Sequence, residues 1–247
     1  MEEITLASKI LFNVGPIVIT NSMMASWAAI LVLILLSFFA TKKLSKIPKG
    51  LQNIMEFVVE SLLGLIESVT IDKAKARKFF PWITTFFLLI LVSNWMELIP
   101  GFGSIGLHVT EHGKTELVPL LRSANTDLNT TLSFAIISVF MVQVFGIASV
   151  GFFKYVGKFI NFKGPINFFV GILELISEIA KMISFSFRLF GNIFAGEVLL
   201  VVIMFLIPYV VPVPFYAMEL FVGFIQALVF AMLTLVFMTM ATTSHEH

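Results

Sequence analysis

Residues Ile166 to Ile207 read INFFVGILELISEIAKMISFSFRLFGNIFAGEVLLVVIMFLI, a run with no proline and no basic loop that could mark a turn. As one continuous helix the run would be about 63 Å long, twice the roughly 30 Å of hydrocarbon in a bilayer. It is therefore either two spans with a hidden turn or one long, strongly tilted helix. Turn-forming residues cluster only afterwards, at Pro208-Tyr209-Val210-Val211-Pro212-Val213-Pro214. Phe215 to Thr242 then follows as a further helix of about 42 Å, again longer than an upright span requires. A tilted hairpin is the simplest reading.

The composition of the whole chain agrees. Of its 247 residues 58% are hydrophobic and 13% charged, with a mean hydropathy of +1.00. A water-soluble globule carries about 45–50% apolar and about 25% charged residues. This chain has too little polar surface to cover itself, so part of its solvent must be lipid. A soluble enzyme, a disordered scaffold and a nucleic-acid binder are excluded, the last also by a net charge of only +1. Without cysteine there is no disulfide framework, thiolate metal site or cysteine nucleophile. The expected fold class is an all-α integral membrane protein forming a single membrane domain over 1–247.

Outward from the hairpin, three charge-free runs mark upright spans. Residues 1–22 form an external N-terminus and 23–41 the first span, too far in and wrongly flanked for a cleavable signal peptide. A second span covers 79–100, ended by Glu97 and by Pro100-Gly101, and an external loop covers 101–127. A third span covers 128–153, where Asn129-Thr130-Thr131 fits a glycosylation sequon but is read as helix capping. Between the first two spans, 48–67 differs: Gln52, Glu56, Glu60, Gly64 and Glu67 recur at steps of three or four among apolar residues. That pattern suits a helix lying along the membrane surface. The tilted hairpin occupies 166–207 and 215–242.

Basic residues set the orientation. Eight of the sixteen lie between Lys42 and Lys78, and Lys154, Lys158 and Lys163 follow the third span. Lys9, Lys114 and Arg122 fall on the opposite side. The eleven mark the cytoplasmic face, so the 101–127 loop and the proline turn are outside and the C-terminus is inside.

Charges within hydrocarbon cost about 2.5–3.5 kcal/mol each on insertion scales, which makes them functional suspects. The hairpin holds Glu174, Glu178, Lys181, Arg188, Glu197 and Glu219, with Asn192 and Gln226 beside them. At 100° per residue, Ser177, Lys181, Ser184, Arg188, Asn192 and Ala195 fall within about 40° of one line, whereas Glu197 lies about 180° round from Arg188. On the returning helix Glu219, Gly223, Gln226 and Phe230 share a face. Measured from Pro208, Glu197 is about 16 Å along the helix, Arg188 about 30 Å and Glu174 about 51 Å. An outer acidic group, an inner acidic group and one guanidinium between them would form two dead-end polar channels separated by a fixed charge. Glu178 and Lys181, three apart, are equally well read as an internal ion pair, Glu174 as snorkelling to the inner surface, and Glu97 as interfacial. Arg188 has no acidic residue three or four positions away, so its partner must come from another helix or chain. Being always protonated, it can gate but not relay protons.

These residues resemble subunit a of the F-type ATP synthase membrane sector. Phe185-Ser186-Phe187-Arg188-Leu189-Phe190-Gly191-Asn192-Ile193-Phe194-Ala195-Gly196-Glu197 is similar to its arginine signature, and Phe224-Ile225-Gln226-Ala227-Leu228-Val229-Phe230 to its C-terminal motif. Pro48 with Leu51-Gln52-Asn53, Asn94 with Pro100-Gly101, and Ser123-Ala124-Asn125-Thr126-Asp127-Leu128-Asn129 match in order and spacing, so the likeness runs from about residue 20 onward.

The resemblance implies that Arg188 is the essential arginine facing a rotating ring of c subunits. Asn192, Glu197, Glu219 and Gln226 would line the half-channel open to the outside, and Glu174, Ser177 and Ser184 the inner one. Some bacterial relatives carry histidine where this chain has Glu219, which makes the Glu197–Glu219 carboxyl pair a variant arrangement. The implied partners are the c-subunit ring, peripheral-stalk b subunits, the soluble F1 catalytic sector and the lipid bilayer, with no nucleic acid. Protons rather than sodium are the expected ion, no cofactor or metal is expected, and the expected location is a bacterial plasma membrane.

Two other classes remain in view. An independent secondary transporter or antiporter would show internal repeats with paired broken helices, and the halves of this chain do not resemble each other. A membrane hydrolase would need a metal or nucleophile. His108 and His112 have metal-pair spacing but sit in a polar external loop without an HExxH motif, and His245 and His247 look like a solvated tail. With no phosphate-binding loop, this chain has no catalytic chemistry of its own and cannot itself make or split ATP.

Overall fold

The computed structural model describes residues 8–42, 44–99, 101–102, 106–111, 114–159 and 164–243. Expectations resting on residues 1–7, Lys43, Pro100, His112, Lys163, His245 and His247 lie outside these residues, as does the side chain of His108.

In chain order the elements are β1 (Ile10–Val14), β2 (Ile17–Thr20), α1 (Asn21–Thr41), α2 (Leu51–Thr70), α3 (Lys73–Glu97), β3 (Gly106–Glu111), β4 (Lys114–Pro119), a 3-10 turn at Ala124–Thr126, α4 (Leu128–Val150), α5 (Phe152–Phe159), α6 (Pro165–Leu206) and α7 (Pro212–Thr242). Among the described residues five helices are long and apolar enough to cross a membrane: α1, α3, α4, α6 and α7. The chain is an all-α membrane protein, and helices α2 and α5 are not among the five.

The quoted run resolves in favour of one element. Helix α6 is unbroken over 42 residues. Pro165 opens it, where a missing N–H costs nothing and the fixed φ favours the helix. Helix α7 starts at Pro212 rather than 215, because Pro212 and Pro214 both fit within a first turn whose N–H groups have no intrahelical partner anyway. Likewise α3 begins at Lys73, six residues before the apolar run. Asp72 caps it by accepting from the Ala74 and Lys75 amides, so the basic stretch to Lys78 is helical too.

Helix α7 is the central element and packs on α3, α4 and α6. Its buried residues, among them Glu219, Gly223, Gln226, Phe230, Thr234 and Met238, follow steps of three and four, which is the face expected from the sequence. Side chains of Phe79, Ile83, Ile90, Leu189, Phe230 and Leu235 fill the centre of the bundle. Lipid is as apolar as this core, so cohesion comes from close packing and interhelical hydrogen bonds. Two hydroxyl pairs supply such bonds: Ser138 with Thr234 at 2.8 Å and Thr131 with Ser186 at 3.1 Å. Helix α1 shows the matching inversion of a soluble helix. It buries Asn21, Ser22, Ala25, Ala29 and Ala40 while Leu31, Ile34, Leu35, Phe38 and Phe39 face outward.

In α2 the polar stripe is not simply solvated. Gln52 is buried, accepts from the Ser45 amide at 3.1 Å, and donates to the Ser45 carbonyl and to Glu56. It clamps the 44–50 loop to the helix, while Leu62 and Ile66 seat α2 on the bundle. The short helix α5 docks through glycines: the Tyr155 ring occupies the space a Cβ at Gly146 would take, and the Phe159 carbonyl does the same at Gly171.

Two antiparallel hairpins, β1–β2 and β3–β4, stand where the pattern predicts only loop. Each is a pair of short strands, too brief for a clear two-residue period to stand out beside the apolar runs. The cap of α4 is Asp127 rather than Asn129. Its Oδ1 accepts from the Asn129 amide at 2.9 Å, and its Oδ2 accepts from the hydroxyls of Ser22 at 2.6 Å and Ser8 at 3.0 Å. One buried carboxylate therefore ties the start of α4 to the N-terminal segment and to α1.

Replacing Asp127 with Ala should remove a cap worth about 0.5–2 kcal/mol and leave the buried Ser22 hydroxyl without that acceptor. The expected result is a lower thermal aggregation midpoint in detergent, read by light scattering; an unchanged midpoint would show that the carboxylate does not hold these segments together.

Candidate functional site

The line of residues expected along α6 is a polar stripe on the outer surface of the hairpin. Ser177, Ser184, Arg188, Asn192 and Ala195 are exposed and Lys181 is half-buried, while Phe185, Ser186, Leu189, Ile193 and Gly196 on the other side pack inward. Among the described residues no carboxylate pairs with Arg188. A guanidinium on a membrane helix is thus left without a carboxylate partner among the described residues.

Toward the basic end of the molecule, Arg188 opens on a cavity of about 260 Å³. Ser177, Lys181 and Ser184 line it together with Arg188, and Leu233 and Phe237 of α7 close its far wall. Two of the three residues expected on the inner path, Ser177 and Ser184, are therefore brought together with the arginine. Glu174 is not on that wall; it forms an ion pair with Lys158 of α5. Glu178 and Lys181 do form the internal pair that their spacing allows, at 2.6 Å.

Toward the hairpin end, the polar groups turn from the surface into the bundle. Asn192 donates to the Oε1 atom of Gln226 at 2.7 Å, linking the arginine's face of α6 to α7. Gln226 is buried, and its Nε2 has no hydrogen-bond partner among the described residues. About two turns further along α7, the buried Glu219 carboxyl lies in a notch at Gly196, where any Cβ would overlap it. The glycine is required by this close approach.

Glu197 lies 3.8 Å from the Arg122 guanidinium. Glu97, at the end of α3, is within electrostatic reach of Glu197, Glu219 and Arg122, with Ser123 beside it. Three carboxyls and one guanidinium from four segments thus form a single cluster. Glu97 and Arg122 were not expected in it. Glu97 ends an apolar run next to a proline-glycine turn, which reads as a membrane boundary, and no local pattern joins Arg122 to a glutamate 75 positions away.

The cluster is fixed by side chains that hold α7 along its backbone. Asn94 donates to the Gly223 carbonyl at 2.9 Å and accepts from Asn125 at 2.7 Å, and Trp95 donates to the Leu220 carbonyl at 3.1 Å. Gly223 lets Asn94 approach: a Cβ there would stand 3.1 Å from that of Asn94. The anchors fall between Glu219 and Gln226, so they set the rotation of α7 that presents both inward. Among the described residues no group of three or more His, Asp or Glu is placed to hold a metal ion.

Comparison with known proteins identifies the family. A family model described as ATP synthase A chain matches residues 23–239. The ATP synthase subunit a of Moorella thermoacetica is 33% identical over 96% of this chain and 96% of its own length. That of Campylobacter jejuni is 33% identical over 87% of each chain, and that of Gloeobacter violaceus 34% identical over 95% of this chain and 89% of its own. The chain belongs to the ATP synthase A chain family, the membrane-embedded, non-catalytic a subunits of the F-type enzyme's ion-translocating sector.

Proposed function

We propose that this chain is the stator half of a rotary ion path in a bacterial plasma membrane, giving a ring of c subunits two offset half-channels with Arg188 between them. Peripheral-stalk b subunits would hold it against the soluble F1 sector, and protons rather than sodium would be the ion carried. The observation that supports this best is the exposed Arg188, without a carboxylate partner among the described residues, between an internal polar cluster on one side and a cavity carrying Ser177, Lys181 and Ser184 on the other. A carboxylate supplied by a second, moving chain answers that arrangement; a fixed internal partner would already be present.

The path runs as follows. An ion enters through the cluster of Glu97, Glu197, Glu219 and Arg122 and passes by Asn192 and Gln226 to a ring carboxylate. Neutralised, that carboxyl can face lipid at little cost. After nearly a full turn it reaches the inner half-channel of Ser177 and Ser184, with Glu174 near its mouth, and releases the ion. The bare carboxylate is then drawn to Arg188, whose charge also blocks direct passage between the half-channels. The attraction must be moderate: at 4 Å a unit pair is worth about 4 kcal/mol at an effective dielectric of 20. The membrane potential supplies only about 2.3 kcal/mol per charge per 100 mV, so a dry, tight pair would stall rotation. The exposure of Arg188 and the cavity beside it support a hydrated site.

In vesicles holding the whole complex, Arg188→Ala should abolish ATP-driven ion pumping with assembly intact, and any passive leak should be ion-specific. Arg188→Lys should not restore full pumping, since lysine can lose its proton and lacks the planar fork. Unchanged pumping in Arg188→Ala would make the arginine structural. A second prediction concerns the outer path: Gly196→Ala should push the Glu219 carboxyl off α6 and lower pumping about fivefold, on the order of 1 kcal/mol of barrier. Parental rates in that variant would take the Glu219 position out of the path.

A further inference from the structure

Glu178 has no part in the path just described, yet both of its carboxylate oxygens are held by side chains. Its Oε1 accepts from Lys181 at 2.6 Å and its Oε2 accepts from Nε2 of Gln143 on α4 at 2.9 Å. Gln143 in turn accepts, at its Oε1, from the Tyr155 hydroxyl of α5 at 2.7 Å. The Tyr155 ring is locked in the notch at Gly146.

The chain of bonds has only one polarity. Burial, with the carboxylates of Glu178 and Glu174 nearby, pushes the Tyr155 phenol up to about 12, so it keeps its proton and donates. A carboxamide that accepts through its oxygen must turn its NH₂ toward its other neighbour. That neighbour must then be an acceptor, which an ionised carboxylate is. Beyond the first turn of the apolar 23-residue helix α4, Gln143 is the one amide side chain, and this is the use the structure makes of it.

What the carboxylate faces is a second cation on the arginine's cavity. Lys181 lines the same wall as Arg188, two turns away, and its ammonium sits 4.7 Å from the centre of the Phe237 ring. An uncompensated ammonium there would compete with Arg188 for an arriving ring carboxylate. It would also repel a cation leaving by the same cavity.

We propose that Glu178, oriented by Gln143 and Tyr155, is a positioning residue that neutralises Lys181, so that Arg188 is the single cation that the inner cavity presents to a carboxylate on the partner ring. The inference rests on the half-channel reading above.

Charge and structure are separable here. Glu178→Gln keeps the shape and an acceptor for Gln143 but leaves Lys181 uncompensated. Lys181→Met keeps an apolar stem over Phe237 without the charge. In vesicles holding the whole complex, with subunit content checked on stained gels, Glu178→Gln should slow ATP-driven pumping about fivefold, the scale of losing a partly buried ion pair. Adding Lys181→Met to it should restore at least half of the parental rate. Parental pumping in Glu178→Gln alone, or a double variant as slow as the single one, would overturn the proposal. Arg188→Ala run alongside separates the two readings. If that variant also pumps normally, the half-channel reading has failed; if it alone is inactive, only the role of Glu178 has.

Discussion

A charged side chain at the bilayer centre costs about 2.5–3.5 kcal/mol on insertion scales, and proteins recover that cost by pairing or hydrating the charge. Among the described residues no carboxylate pairs with Arg188. The chain leaves the guanidinium exposed on α6 beside a small cavity lined by both polar and apolar side chains. Everything near it is built to make that tolerable without satisfying it. The helix is unbroken over 42 residues, so no freed backbone carbonyl competes for the guanidinium. The opposite face of the same helix, at Phe185, Leu189 and Ile193, is packed into the bundle and fixes its rotation.

The same constraint explains why α7, not α6, is the best-anchored helix. A polar cluster inside a membrane protein depends on groups brought together from several elements, and α7 carries two of its members, Glu219 and Gln226. Its register is set by Asn94 and Trp95, whose side chains bond carbonyls at Gly223 and Leu220. Asn125, on the 3-10 turn, holds Asn94 in place. Glycine supplies the remaining tolerance. At Gly196 and Gly223 two helices approach closely enough that a polar group, rather than a methyl, occupies the contact. Hydroxyl pairs deeper in the bundle, each worth only about 0.6 kcal/mol on average, do the same between α4 and its neighbours.

Much of this was legible in the residues because lipid imposes a coarse and strict code. Long apolar runs marked the spanning helices, and the missing turn between 166 and 207 foretold the long helix. One face of α7 could be drawn from a 100° wheel. The arginine stood out because nothing within a turn of it could neutralise it. What stayed hidden depends on contacts distant in sequence. Arg122 meets Glu197 only because the 3-10 turn at 124–126 packs against α6. Glu97 looked like a boundary residue because hydropathy measures depth along a helix, not which neighbours lean over its end. Gln143 offered a signal that could have been read: an amide in the middle of an apolar span is costly unless it is bonded. The two hairpins were masked by strands too short for their period to show.

The charges on and beside α6 include three ion pairs within the described residues, and Arg188, which has no carboxylate partner among those residues. Glu174 with Lys158, Glu178 with Lys181, and Glu197 with Arg122 each bring opposite signs together, two of them across different elements. Such pairs add little net stability, since desolvation offsets most of the attraction. Their value is in what they prevent. A rotor carboxylate approaching α6 would otherwise meet several competing fields, and its position would be smeared along the helix. With the other cations on this helix and around it compensated locally, the remaining field has a single origin. A binding site for a moving partner must be specific enough to stop it and weak enough to release it. Pairing Lys158, Lys181 and Arg122 with glutamates of α6 serves the first requirement, and leaving Arg188 exposed on the helix surface serves the second.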